Sequence, residues 1–200
     1  MYQYLVILGA AVNLIGTSFY IRRTLRGQNK PNRVTYLLWS AAPMIATGAG
    51  LSAGAGWATL PVFASGFIPF LVFLASFYNP QAYWKLSALD YVCGAFSVVS
   101  LILWMIVKEP NAAIALAIIS DGLAGMPTLI KSWKFPETES ASGYLAAIFS
   151  AGTSFAAIKR WNFSELAFPI YLIAMCSAIS FAVLHRKILK YFSRTDGALL

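Results

Sequence analysis

Charge and metal-binding side chains are scarce in this 200-residue chain, which has one histidine, two cysteines and seven acids, with charged residues at only 11%. A solitary His185 removes a Ser/His/Asp triad and any multi-histidine metal centre within the chain. Cys93 and Cys176 are too few and too widely spaced for a disulfide framework or thiolate cluster, so both read as packing residues. Nothing in the sequence calls for a metal or a cofactor. The polar surface of a soluble protein is missing too. With 59% hydrophobic residues and a mean hydropathy of +0.68, the chain belongs in a bilayer.

What is present is apolar length. A membrane helix needs about 17 to 25 apolar residues, and the segments 4–21, 34–52, 57–78, 89–107, 112–130, 141–158 and 166–184 meet that need. They are too long and too continuous for β-strands that alternate lipid-facing and lumen-facing residues. The first lacks a basic stretch before it and a small-residue cleavage site after it, so it reads as a retained helix.

Basic residues sort onto alternate loops. Arg22, Arg23, Arg26, Lys30, Arg33, Lys85, Lys131, Lys134, Arg186, Lys187, Lys190 and Arg194 fall on one side, against only Lys108, Lys159 and Arg160 on the other. Cytoplasmic loops carry the Lys and Arg excess, which places the N-terminus outside and the C-terminus in the cytoplasm. The net charge of +8 is then a topology signal and a lipid contact. No nucleic-acid-binding motif is present, and the basic clusters lack a soluble stacking platform.

The chain also repeats itself. Residues 12–36 and 121–144 read as two copies of one unit, and Leu14, Gly16, Tyr36 and Pro61 recur as Leu123, Gly125, Tyr144 and Pro169, offset by 108 to 109 positions. The fourth segment, rich in Val, Leu and Ser, has no counterpart. Three helices are an odd number, so one linker helix is what makes two triple-helix copies parallel. The expected fold is an all-α membrane protein of one domain over 1–200. Its seven transmembrane helices form a 3+1+3 parallel-repeat bundle, with 1–80 as first repeat, 86–108 as linker and 111–190 as second repeat. Transporters built on parallel repeats bind solute between the halves.

The second copy carries Pro127, Lys131, Lys134, Glu139 and Ser140 in a helix end, short Lys/Ser/Glu loop and following helix. This resembles the PQ-loop and SWEET superfamily, in the form of its small bacterial seven-helix members. The resemblance implies a SWEET-like bundle in a bacterial cytoplasmic membrane. It also implies proline hinges, here Pro43 and Pro127, whose counterparts are Ala151 and Ser18. Proline removes a backbone hydrogen bond from its helix, which suits either a hinge or a static kink. Ser18-Phe19 and Thr128 stand where the superfamily has its Pro-Gln and Gln, so no sugar specificity carries over.

Asp121 is the sharpest single residue. Counted from position 112 at roughly 1.5 Å per residue it lies close to the bilayer midplane. It either lines a central cavity, binding the polar part of a substrate or carrying a coupling proton, or is hydrogen-bonded between helices. Asn13 lies at a comparable depth in the first copy and either joins that cavity or bonds a neighbouring helix. Trp39, Ser150, Thr153 and Ser154 belong to the second and sixth segments, and Ser177 and Tyr171 to the seventh; they complete the candidate lining. Asp90 reads as a helix cap, and Trp57, Trp84, Trp133 and Trp161 as interfacial anchors, with His185 anchored beside Arg186 and Lys187. Gly48, Gly50, Gly54, Gly56 and Gly66 suit close helix contact.

These features point to a non-enzymatic carrier of a small polar solute, facilitated or proton-coupled, with the lipid bilayer as its setting and a homo-oligomer left open. The alternative is a non-transporting receptor or partner-binding membrane protein. An intramembrane enzyme would need a second buried acid or base to pair with Asp121. A retinal pump would need a lysine in the middle of the last helix, and Lys187 lies beyond that span.

Overall fold

A computed structural model describes residues 2–52, 60–107, 109–158 and 161–196. Among these the chain forms α1 (Tyr2–Leu25), α2 (Arg33–Ser52), α3 (Leu60–Tyr78), α4 (Ala88–Ile106), α5 (Pro110–Lys134), α6 (Ser142–Ser154) and α7 (Phe163–Asp196), with no strand. Helices α1, α4, α5 and α7 contain stretches long and apolar enough to cross a membrane, and Phe63–Tyr78 is a shorter apolar run. The protein is an all-α membrane protein. Trp57, Gly54, Gly56, Lys108, Lys159 and Arg160 lie outside the described residues.

Apolar length and helical hydrogen bonding do not end together. Helix α1 continues to Leu25, α5 to Lys134 and α7 to Asp196, beyond the apolar segments that end at 21, 130 and 184. The added residues include Arg22, Arg23, Lys131 and Lys134, good helix formers whose charge suits a helix C-terminus. Helix α6 does the reverse. It stops at Ser154 and tightens into a 3-10 turn at Phe155–Ala157, just where the Thr153 hydroxyl donates to the Ser150 carbonyl at 2.7 Å and competes with the helical ladder.

The ends are held by named groups. Glu109 caps α5 by accepting from the backbone N–H groups of Asn111 and Ala112, with Pro110 at the first helical position. Gly27 closes α1 in a left-handed conformation (φ 72°). There the Gln28 N–H bonds the Arg23 carbonyl and the Gly27 N–H the Thr24 carbonyl, both at 2.9 Å. Asp90 accepts from the backbone N–H of Ser87 at the start of α4 and also from the Asn32 side chain, which ties α4 to the head of α2.

Polarity runs inside out. Buried positions include Thr17, Asn29, Asn32, Thr35, Thr128, Lys131 and Glu139, while Ile7, Phe19, Tyr91, Phe96, Ile102 and Phe181 stand exposed. Such a surface suits lipid, and the buried polar groups bond one another. Between α4 and α5, the Ser97 hydroxyl donates to the Ser120 carbonyl at 2.7 Å and the Ser120 hydroxyl to the Ser97 carbonyl at 2.9 Å.

Helix α1 packs on α6 and α3, α2 on α3 and α5, and α7 on both α5 and α6, while α4 lies against α5 and α2. The α1–α3, α2–α3 and α1–α6 contacts thus have counterparts in α5–α7, α6–α7 and α5–α2. Along the α1–α6 seam, a Cβ on Gly16 would meet the Ala146 methyl and, at 2.8 Å, the Ser142 carbonyl oxygen. Gly16→Val is expected to cost about 1–3 kcal/mol by overpacking. Gly152→Ala, which meets nothing within 4 Å, should leave the melting temperature in detergent unchanged or raise it. Equal melting of the two variants would remove the seam from the account of stability. Gly66 is as tightly placed, since its Cβ would meet the Ser40 carbonyl oxygen at 2.9 Å and the Pro43 ring at 3.0 Å. Gly48 and Gly50 lie in the last turns of α2, and their packing falls outside the described residues.

Candidate functional site

A cavity of about 330 Å³ lies between α1, α2 and α3 on one side and α5, α6 and α7 on the other. Pockets for small organic ligands begin near this size. Asn13, Trp39, Pro43, Asp121 and Ser150 all line it, together with Thr17, Ser65, Ser154 and Phe168. Helix α5 carries Asp121 about 17 Å from its start and about 20 Å from its end at roughly 1.5 Å per residue, so its carboxyl reaches the cavity far from either end of the helix. The Tyr171 hydroxyl donates to that carboxylate at 2.6 Å, and the Trp39 indole N–H donates to the Asp121 backbone carbonyl at 3.1 Å. Asn13 accepts from the Thr17 hydroxyl at 3.4 Å.

Other candidates fall elsewhere. Ser177 is exposed on the outer side of α7, where its neighbour Cys176 takes the inward position. Thr153 is not among the lining residues; its side chain packs against Gly9 of α1. Pro127 is buried in α5 away from the lining. The alternation follows from helical geometry, since adjacent residues differ by about 100° around the axis and only one of each pair can face inward.

Three tyrosines form the floor. The hydroxyls of Tyr36 and Tyr144 hydrogen-bond at 3.0 Å, and the Tyr20 ring lies 5.7 Å from Tyr36 and 6.1 Å from Tyr144. Trp39 meets Tyr36 edge to face at 5.6 Å. The sequence offers Tyr36 and Tyr144 as repeat partners, but Tyr20 has Leu129 at its equivalent position, so periodicity alone does not select the trio.

Beyond the floor, the end that carries most of the basic residues is filled by a buried polar network. The Tyr20 hydroxyl donates to Glu139 Oε2 at 2.5 Å, and Glu139 Oε1 pairs with Lys131 Nζ, which also donates to the Lys30 carbonyl. The two side chains of this ion pair are 1% and 0% exposed. Asn29 donates to the Ser140 hydroxyl at 3.0 Å, and the loops on either side of the network are joined by the Lys30 N–H on the Thr138 carbonyl at 2.8 Å. Trp84 lies against both Lys131 and Phe135, while the exposed Trp133 stacks on His185 with ring centroids 4.3 Å apart. Among the described residues no group of three or more His, Cys, Asp or Glu could hold a metal. No family model, curated protein or solved structure matches the chain.

Proposed function

We propose that the protein carries a small polar metabolite across a membrane by alternating access, as a facilitator or coupled to protons. In this reading it is a seven-helix, 3+1+3 bundle of the PQ-loop and SWEET kind. The observation that carries the reading is the cavity itself: polar groups from α1, α2, α3, α5 and α6 and the apolar face of α7 converge on a space between two helix triplets, with Tyr20, Tyr36 and Tyr144 at its floor. Two details favour the duplication. Tyr36 bonds Tyr144, and Lys30 bonds Thr138; in each pair the partners are 108 positions apart, and equivalent residues of two copies touch only where the relating axis passes. With the basic end in the cytoplasm, the tyrosine floor and the network beyond it close the path on that side, and the solute enters from the opposite face.

Binding must stabilise the folded state by mass action, by about 2.7 kcal/mol at a ligand concentration a hundred times Kd. Thermal unfolding of the detergent-purified protein against sugars, amino acids, amines, nucleosides and organic acids is therefore expected to give at least one stabilising solute. That solute should also enter proteoliposomes. Stabilisation without entry would support the receptor alternative, and neither effect would remove the carrier reading.

A further inference from the structure

We infer that the cavity takes a solute bearing an ammonium group, with the Asp121 carboxylate, held by Tyr171 from behind the lining, as counter-ion and Trp39 and Phe168 as aromatic walls. This rests on the carrier reading for its setting and goes further in naming the class of solute. The first observation is the charge balance. Among the described residues lining the cavity, Asp121 is the one acidic side chain, and no Lys, Arg or His joins it. The buried Lys131 is engaged by Glu139 and the Lys30 carbonyl beyond the tyrosine floor and does not line the space. A carboxylate held away from water is costly unless a cation compensates it, and the described lining of the cavity offers none.

The second observation is what surrounds that carboxylate. Tyr171 donates to one of its oxygens, the Trp39 indole bonds the same residue's backbone, and the Phe168 ring lies 5.9 Å from that of Tyr171. Tyr36 and Tyr20 continue the aromatic lining toward the floor. Aromatic faces carry negative potential and attract ammonium groups, most strongly where water is excluded. An anionic solute would meet an uncompensated carboxylate and the same negative faces. An uncharged polyol would find acceptors in Asp121 and Asn13 and hydroxyls in Ser150 and Ser154, but would leave the carboxylate charge unbalanced. The lining therefore selects by charge before it selects by shape.

The test uses matched pairs on the purified full-length protein. Choline is compared with the alcohol in which carbon replaces its nitrogen, and putrescine with the diol of the same length; glucose and succinate complete the set. Affinities come from the concentration dependence of thermal stabilisation. At least one ammonium probe is expected to bind about tenfold or more tightly than its neutral match. Asp121→Asn should erase that preference while leaving weak binding of the neutral member. Trp39→Leu should reduce the preference while keeping the carboxylate in place, and it decides the matter if Asp121→Asn does not yield folded protein. Equal affinity within both pairs would overturn the inference. Tighter binding of glucose or succinate would also overturn it, and would leave the carrier reading standing. If none of the probes binds while another solute from the wider panel does, the ammonium class is wrong and the cavity is right; if nothing binds at all, both fall together.

Discussion

Replacing Glu139 by Leu is expected to destabilise the folded protein by about 3–5 kcal/mol, the usual consequence of leaving one member of a buried ion pair without its partner. The size follows from the burial, since neither Lys131 nor Glu139 reaches solvent appreciably. Lys131 would keep the Lys30 carbonyl and the Trp84 ring but no counter-charge within contact, and the Tyr20 hydroxyl would lose its acceptor as well. Lys131→Met alone should cost less, because Glu139 retains the Tyr20 hydroxyl. The double variant Lys131→Met/Glu139→Leu should recover much of the loss, as an apolar pair of similar volume replaces two desolvated charges. Unfolding in detergent measured for the four proteins gives the coupling energy directly. A cost below about 1 kcal/mol for Glu139→Leu would mean that the pair is water-screened, like an exposed bridge, and that the network at the basic end is not what holds α1, α5 and the loop before α6 together. The Arg186–Glu137 contact, 3.9 Å long with both side chains more than half exposed, is the natural control and should contribute next to nothing.

How much of this was readable in the sequence depends on which physical signal each feature leaves. Apolar runs located the seven described helices, because runs so long and continuous do not alternate as barrel strands must and satisfy their backbone groups within a helix. The same runs placed the ends of α1, α5 and α7 too early, because hydropathy falls at Arg22, Lys131 and Arg186 while helical hydrogen bonding continues through them. Asp121, Asn13, Trp39 and Ser150 stood out as polar or aromatic groups at mid-helix depth, and the structure gathers them around one cavity. Ser177 and Thr153 had the same depth and composition, but depth does not fix the angular position around a helix, and an apolar chain with lipid outside and polar seams inside gives a weak moment to read it from. The Tyr20–Glu139–Lys131 chain was hidden for another reason. Lys131 and Glu139 drew notice as loop signature residues, yet their partner Tyr20 lies 119 positions from Glu139, and no local pattern signals a contact across the two halves.

Crosslinking the basic end should abolish solute entry while sparing binding, an all-or-none effect that separates a carrier from a static binding protein. Lys30 and Thr138 suit this because the Lys30 N–H reaches the Thr138 carbonyl at 2.8 Å. Adding the Cα–N and Cα-to-oxygen spans on either side keeps the two Cα atoms within about 6.7 Å, inside the range a disulfide bridges. Cys93 and Cys176 are buried, so a Lys30→Cys/Thr138→Cys protein would present its new thiols as the accessible pair. In alternating access the floor of Tyr20, Tyr36 and Tyr144 must part to release solute on this side, and the loops carrying residues 30 and 138 must separate with it. An oxidised pair holds them closed. The bound solute should still raise the melting temperature, since the cavity lies beyond the crosslink, but its passage into proteoliposomes should stop and resume on reduction. Undiminished entry with the disulfide demonstrably formed would show that solute does not leave through this end. Loss of both binding and entry would show instead that the loops shape the cavity rather than gate it.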